Sequence, residues 1–284
     1  MKIKMINSRT SFLRRNQLIS IVVLVLLSIF MIFPFVWLLR SSFMTQREIQ
    51  TMPIKWIPSH FNFDNFTKAL KAAPFDYYFR NSTFLVIVNV IGCILSSSFI
   101  AFGFSRLKFR GQKFWFGMLL TTMMIPYTVV MIPQFIGWKT VGAYNTHVPL
   151  WLPSFFGNAF NVFLVRQFYS AIPKDYDEAA LVSGANYFMV YLRIIMPMSK
   201  PVLASVGVFT FMSTWNDFMG PLLYLDRQLL RTVSLGLQIF IGQYTSQLNY
   251  MMAAATLAVL PMIVIFFFAQ RYFIEGITFS GLKG

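Results

Sequence analysis

Apolar residues run along this chain in long blocks separated by shorter polar segments. Six blocks are long enough to cross a hydrocarbon core of roughly 30 Å, which takes about 20 helical residues. They lie at about 18–40, 81–104, 114–133, 148–167, 201–224 and 250–271. The fourth carries Pro149, Pro153, Asn158 and Asn161, is the least apolar, and is expected to face other helices instead of lipid. Prolines interrupt five of the six, at Pro34, Pro126, Pro153, Pro221 and Pro261. Each removes a helix hydrogen bond and permits a kink or a break. Kinks suit a gated path, although proline is common in membrane helices of every kind.

These blocks divide the chain into an N-terminal segment 1–17, a first helix 18–40, a polar segment 41–80, a five-helix core 81–272 and a tail 273–284. Lys2, Lys4, Arg9, Arg14 and Arg15 precede the run from Ile19 to Leu39, as in a signal sequence. That run has spanning length and no small-x-small site follows it, so an uncleaved helix is expected. Most Lys and Arg fall on the same side as the N-terminus, including the cluster Arg106, Lys108, Arg110 and Lys113. The positive-inside rule then predicts six transmembrane helices with both termini cytoplasmic. The segment 41–80 falls outside, where Trp56, Phe61, Phe63 and Phe66 either pack on the membrane surface or meet an external partner. The packing role is preferred.

Composition agrees with this class. Hydrophobic residues make up 57% of the chain and charged residues 12%, against about 25% charged in soluble domains. A formal charge of +15 could suggest nucleic acid, but the basic residues are dispersed beside the apolar blocks. Membrane lipid is the expected surroundings and no nucleic acid is an expected partner. Cys93 stands alone, and His60 and His147 form no HExxH pattern, so no metal site and no catalytic residue are predicted.

The most informative polar element is the loop 168–200 between blocks four and five. Pro173 can pre-set a helix start, and Asp175, Asp177 and Glu178 complement the dipole in its first turn. Ala179 and Ala180 are strong helix formers of minimal bulk. Gly184 can stop the helix in the left-handed conformation. Asn186 can then cap a second helix, Tyr187 to Met196, that Pro197 ends. Small residues on the first helix would let it dock closely into another protein. An amphipathic helix lying at the membrane interface is the plainer alternative.

Glu178-Ala179-Ala180, then Gly184, Ile194 and Pro197 at these spacings, resembles the EAA signature of binding-protein-dependent ABC importer permeases. The stretches Arg106–Gly111, Met124–Pro126, Phe163–Phe168, Trp215–Phe218 and Gly281–Gly284 are similar to the carbohydrate branch, the maltose-type G subunit. The resemblance covers about residues 20 to 284. It departs at Ser183, where the family commonly has Asp, and at Met196, where it commonly has Leu. Ser183 keeps a capping oxygen and loses the charge, which puts an ionic contact from that position in doubt.

The resemblance implies an all-α type I ABC importer permease fold in the bacterial-type cell membrane. It implies a second homologous permease subunit, a cytoplasmic ATPase dimer and an extracytoplasmic solute-binding protein as partners. Glu178, Ala179, Ala180, Ser183, Gly184 and Pro197 would form the coupling loop. The chain has no GxxxxGK[ST] loop, and Lys139-Thr140 follows Trp138. No cofactor is therefore expected on this chain, and ATP and Mg would be used by the partner ATPase. The implied function is carbohydrate import, of a di- or oligosaccharide. Glycerol phosphate or a polyamine are alternative solutes, and a multi-span membrane enzyme is a remote alternative.

Asp217 is the only acid well inside a predicted span. An ionised acid at mid-bilayer costs about 2.5–3.5 kcal/mol on insertion scales, so it should face the bundle interior. It either lines the translocation path or packs by hydrogen bonds with Asn216 or Trp215. Its place near the outer end of the span favours packing.

Overall fold

The computed structural model describes residues 2–242 and 247–280, with side chains for 17–241 and 247–270. The Gly281–Gly284 stretch lies outside the described residues. Among those described, helices are the only regular elements. The main ones are α1 (Lys2–Ser42), α2 (Phe75–Arg106), α3 (Gln112–Thr121), α4 (Tyr127–Thr140), α5 (Ala159–Ala171), α6 (Asp175–Val182), α7 (Lys200–Trp215) and α8 (Leu248–Ser280). Four helical stretches are long and apolar enough to cross a membrane, or up to six if each of two bent pairs is one span.

The chain forms two compact units. One runs up to Ala69 and includes Phe240–Leu257; the other comprises Leu70–Ile239 and the chain from Ala258 onward. In the first unit, α1 continues through Pro34 without a break. Its side chains from Leu18 to Phe35 stand exposed, with Phe30 75% accessible, as suits lipid. The helix ends in buried Ser41 and Ser42, whose polar neighbourhood is organised by Asn65. The Asn65 amide donates to the carbonyls of Ser42 (2.9 Å) and Met44 (2.8 Å) and its oxygen accepts from Asn249 (3.0 Å). Phe43 meets Phe61, Phe63 and Phe66 at 5.2–5.6 Å between ring centroids. Trp56 meets Trp37 edge-on, and Arg40 lies 4.4 Å over the Trp37 ring. The aromatics of 41–80 thus pack against the end of α1 while Trp56, Phe61 and Phe63 each keep an exposed face.

In the second unit, α2 is the central element, with α5 and α7 packed along it. Phe84, Ile87, Ile91, Leu95 and Phe99 form its exposed apolar stripe, at the three- and four-residue spacing of one helix face. The opposite face is buried and partly polar, with Asn81, Ser82, Asn89, Ser97 and Ser98.

Three expected spans are broken. The block expected at 114–133 bends by 98° between Gln112–Met124 and Tyr127–Thr140. Pro126 has no N–H and holds Ile125 in an extended conformation (φ −84°, ψ 116°). The hydroxyls of Thr121 and Thr122 donate back to Met118 and Leu119 at 2.7 Å, satisfying carbonyls near the break. The block at 148–167 is a short turn Val148–Trp151, a 3-10 turn Leu152–Phe156, then Gly157 at φ +88° before α5. The block at 201–224 ends as a helix at Trp215, and a separate turn Met219–Tyr224 follows.

In the first unit, the buried Asn65 amide holds the chain at the end of α1. Asn65→Ala removes two donated bonds and one accepted bond at buried carbonyls and amide, at about 1–3 kcal/mol for each group left unpaired. The expected outcome is a thermal unfolding midpoint of the purified chain lowered by several degrees, with Asn65→Asp no better because it cannot donate.

Candidate functional site

The segment between α5 and α7 has a rigid base and a bare outer face. Its base begins where α2 ends. The last carbonyls of a helix lack intrahelical donors, and here side chains from elsewhere supply them. Gln112 donates to Phe104 (2.8 Å) and Leu107 (3.1 Å), and Arg166 donates to Phe104 (3.2 Å) while its guanidinium lies 4.1 Å over the Phe116 ring. Arg106, the last residue of α2, donates to the carbonyl of Ile172 at 3.0 Å and pairs with Asp177 of α6 at 3.4 Å. The pair is nearly sealed, with side chains 2% and 11% accessible. Burial pushes the Asp177 carboxyl above its ordinary range, and Arg106 and then Lys174 oppose that shift without cancelling it. A buried pair of this kind gains little against an apolar replacement, but losing one partner strands the other.

α6 starts after Lys174 and ends in a left-handed cap. Gly184 has φ +85°, a conformation favourable for glycine alone among ordinary residues. The amide of Ala185 donates to Ala180 (3.0 Å) and that of Gly184 to Leu181 (3.0 Å), the paired bonds of a Schellman motif. Ala180, Leu181 and Ala185 pack on the core of the unit. Glu178, Ala179, Ser183 and Gly184 are exposed, as are Tyr176 and Val182, the last at 90%. The Ser183 hydroxyl donates to the Ala179 carbonyl at 2.9 Å, so it is turned back along the helix.

Asn186 caps the next helix by accepting from the Met189 amide at 2.8 Å. That helix differs from the expected Tyr187–Met196. It is α-helical over Tyr187–Val190, widens into a π turn over Tyr191–Ile195, and continues through Pro197 to Met198. Pro197 therefore does not end it. The missing Pro197 N–H instead deprives the Arg193 carbonyl of its usual donor, next to the widened turn. The chain bends by 78° into α7 at Ser199, whose hydroxyl donates to Ile195 at 2.7 Å. Tyr191, 5% accessible, ties this arm to α2 through a 2.8 Å bond between its hydroxyl and Ser98. Val190, Tyr191 and Ile195 are buried in one core with Val162, Val165, Val202 and Val206.

A second feature of the same unit is a cavity of about 730 Å³ bounded by α2, α5, α7 and the broken segments. Asp217 lines it, and its carboxylate accepts from the Gly220 amide at 3.0 Å. Trp215 does not line it; that side chain is buried and its indole donates to the Ala258 carbonyl at 3.0 Å. Asn216 is exposed and donates to Met212 at 2.9 Å. The three residues considered together from the sequence thus have separate places, and the Asp217 bond goes to a backbone amide instead of to either neighbour. Asn161 (5% accessible) and Thr210 (6%) also line the cavity, and Asn161 Oδ1 and Thr210 Oγ1 have no hydrogen-bond partner among the described residues. A buried unmade bond costs about 1–3 kcal/mol.

Sequence reasoning found α6, Gly184 and Asn186 but missed the pair Arg106–Asp177, Tyr191, and the cavity residues Asn89 and Thr210. Arg106 reads as one of four orienting charges and Asp177 as one of three first-turn acids. Nothing local distinguishes either as buried. Asn161 gave a signal, as an amide inside an apolar block.

Helices long and apolar enough to cross a membrane define a membrane protein, and similarity to known proteins gives its class. Residues 89–278 match the binding-protein-dependent transport system inner membrane component family, and this chain belongs to it. It is a transport component and not an enzyme. The arabinooligosaccharides transport system permease protein AraQ of Halalkalibacterium halodurans is 30% identical over 256 residues, covering 89% of this chain and 91% of that protein. The melibiose/raffinose/stachyose import permease protein MelC of Bacillus subtilis is also 30% identical, over 254 residues, covering 88% and 91%. A crystal structure of a bacterial ABC transporter involved in import of the acidic polysaccharide alginate superposes with a TM-score of 0.80. It covers 92% of this chain and 97% of that one at 21% identity, which is a likeness of fold.

Asp177→Ala leaves Arg106 buried and unpaired, at a cost of about 3–5 kcal/mol. Limited proteolysis of the purified chain is expected to cut faster at Lys174 in this variant than in wild type. An isosteric Asp177→Asn should cut at an intermediate rate.

Proposed function

We infer that the chain is the transmembrane permease subunit of an ABC importer that carries a di- or oligosaccharide into the cell. In this reading six helices cross the bacterial-type inner membrane, both termini are cytoplasmic, and each bent pair serves as one span. A second homologous permease completes the path, a solute-binding protein delivers the sugar from outside, and a cytoplasmic ATPase dimer uses ATP and Mg. The observation that carries the reading is the exposed outer face of α6 above a base clamped by Arg106–Asp177 and Tyr191–Ser98. A helix held this way transmits a push instead of yielding to it. The oligosaccharide names of the relatives AraQ and MelC support a sugar as cargo.

Alternating access then follows from mechanics. ATP-driven closure of the ATPase pair moves the docked α6 helices together. Their motion passes through the Tyr187–Met198 arm to the elbow at Ser199 and into α7. α7 and α5 line the cavity, so the force reaches the walls of the path. Ser183 offers a neutral hydroxyl already bonded to Ala179, and this contact with the ATPase is therefore uncharged.

Glu178→Lys reverses the charge on the docking face, and Gly184→Pro forbids the positive φ that ends α6. Each should lower sugar uptake by roughly tenfold or more, the effect of about 1.4 kcal/mol at the interface, while the permease remains inserted at normal levels. Normal uptake in both variants removes the docking role. A screen of mono- and oligosaccharides, glycerol phosphate and polyamines on the cognate solute-binding protein distinguishes sugar from the other solutes.

A further inference from the structure

The chain leaves α1 at Ser42 and comes back against it through a loop. From 51 to 63 it forms no helix, yet the loop tip is apolar. Met52, Ile54, Trp56 and Ile57 are exposed, Met52 at 83% and Ile57 at 76%. A cluster of exposed apolar side chains marks a contact with protein or membrane. The loop is tied at its base by Glu48. One carboxylate oxygen accepts from the Thr45 amide and hydroxyl, both at 3.0 Å, and the other accepts from the Ser59 amide at 3.1 Å. These bonds, the one from the Thr45 backbone above all, hold the Glu48 carboxyl down at about 2, so the tie is charged at neutral pH. Near the tip, the Lys55 carbonyl accepts from Arg40, whose guanidinium lies 4.4 Å over the Trp37 ring and 5.8 Å over that of Trp56. The apolar tip is therefore fixed in place on α1.

What covers the tip follows from its level along that helix. Trp56 meets Phe33 at 6.1 Å and Trp37 at 6.0 Å between ring centroids. Both belong to the 26-residue span Gln17–Ser42, whose large apolar side chains from 18 to 35 stand exposed. At 1.5 Å per residue the span is about 39 Å long. A hydrocarbon core of roughly 30 Å centred on it stops about 5 Å short of each end. Trp37, about 7.5 Å from Ser42, falls near that boundary and Phe33 falls inside it. A ring touching both stands at the boundary too, the level at which the apolar body and polar N–H of tryptophan are both satisfied. A protein approaching through water would have to enter the membrane to cover it. Charge agrees with lipid: no acid lies between Glu48 and Asp64. Exposed Lys55, which donates to the Ser59 hydroxyl at 3.4 Å, has a stem long enough to hold its ammonium among lipid phosphates. We propose that loop 51–58 is a membrane-interface anchor, with Met52, Trp56 and Ile57 seated at the headgroup–acyl boundary of the leaflet around the Ser42 end of α1. The proposal rests on the reading of α1 as a lipid-facing transmembrane helix, and it adds a lipid contact outside the helices themselves. Joined to α1 through Arg40, the anchor resists movement of that helix along the membrane normal.

The test uses the intact transporter complex, purified through a tag on this chain and reconstituted in nanodiscs. An environment-sensitive fluorescent amino acid, introduced by amber suppression, replaces Met52 or Ile57 in turn. The same probe at exposed Lys68 is the aqueous reference and at exposed Phe30 the lipid reference. Quenching is measured with nanodisc lipid carrying a doxyl group near its headgroup, and with iodide in the buffer. Doxyl lipid should quench the probe at Met52 and Ile57 several-fold more than at Lys68, and iodide should quench it several-fold less. Trp56→Ser, which removes the indole, should cut the lipid quenching at Met52 by about half or more. The proposal is overturned if iodide reaches Ile57 as readily as Lys68, which puts the tip in water. It is equally overturned if the probe at Ile57 is shielded from both quenchers, which puts a protein surface there, or if Trp56→Ser leaves Met52 unchanged. Loss of lipid quenching at Phe30 removes the lipid-facing span on which the proposal rests, whereas loss at Ile57 with Phe30 still quenched removes the anchor alone. None of these readings depends on transport, so the coupling role of α6 fails separately, through normal uptake in Glu178→Lys and Gly184→Pro.

Discussion

A chain that breaks its helices inside an apolar protein must find other partners for the exposed backbone, because lipid offers none. α2 provides them. Asn81 donates to the carbonyls of Leu229 and Arg231, Ser82 accepts from the Val233 amide, Asn89 donates to Leu150, and Ser96 donates to Ser154. Ser82, Asn89 and Ser96 are seven residues apart, two helical turns each, and so lie along one face. Each reaches backbone in or beside a non-helical segment. The long helix is therefore a rail whose outer stripe is apolar and whose inner stripe holds irregular chain in place. The cavity exists because these segments are held apart instead of collapsing into continuous helices.

The same helix carries the loop. Its last turn supplies Arg106, and Ser98, about two turns earlier, bonds Tyr191, so both arms around α6 are attached to one rod. The outer face of α6 stays bare because its inward positions, Asp177, Ala180 and Leu181, are already engaged. The eight-residue helix thus has one face committed to packing and one left exposed. The π turn at Tyr191–Ile195 and the bend at Ser199 place departures from regular helix between the exposed face of α6 and α7.

Much of this was legible in the chain. Gly184 and Asn186 act through bonds to residues within four positions, so local sequence suffices to place the end of α6 and the start of its neighbour. The apolar blocks gave the helices, because a run of apolar residues has few other stable forms in lipid. Pro197 and the block at 201–224 read less well. Proline costs one hydrogen bond but does not dictate how the chain answers, and here it answers by widening the preceding turn. The block up to Tyr224 is apolar throughout much of its length, yet Asp217 bonds the Gly220 amide and begins a separate turn.

The sequence alone determined the class of protein, the helical character and the bounds of the short helix that carries the Glu178-Ala179-Ala180 signature, because these depend on composition and on contacts between near neighbours. The tertiary structure decided which polar residues are structural and which remain available. Asp177 and Glu178 are adjacent and chemically alike, yet one is sealed against Arg106 and the other faces outward. Asn89 and Asn161 are both amides in apolar blocks, yet one is bonded to the Leu150 carbonyl and the Ser154 hydroxyl and the other keeps a buried oxygen with no partner among the described residues. The difference lies in partners 60 or more positions away along the chain, and a hydrogen bond or an ion pair acts only across the few ångströms that folding brings together.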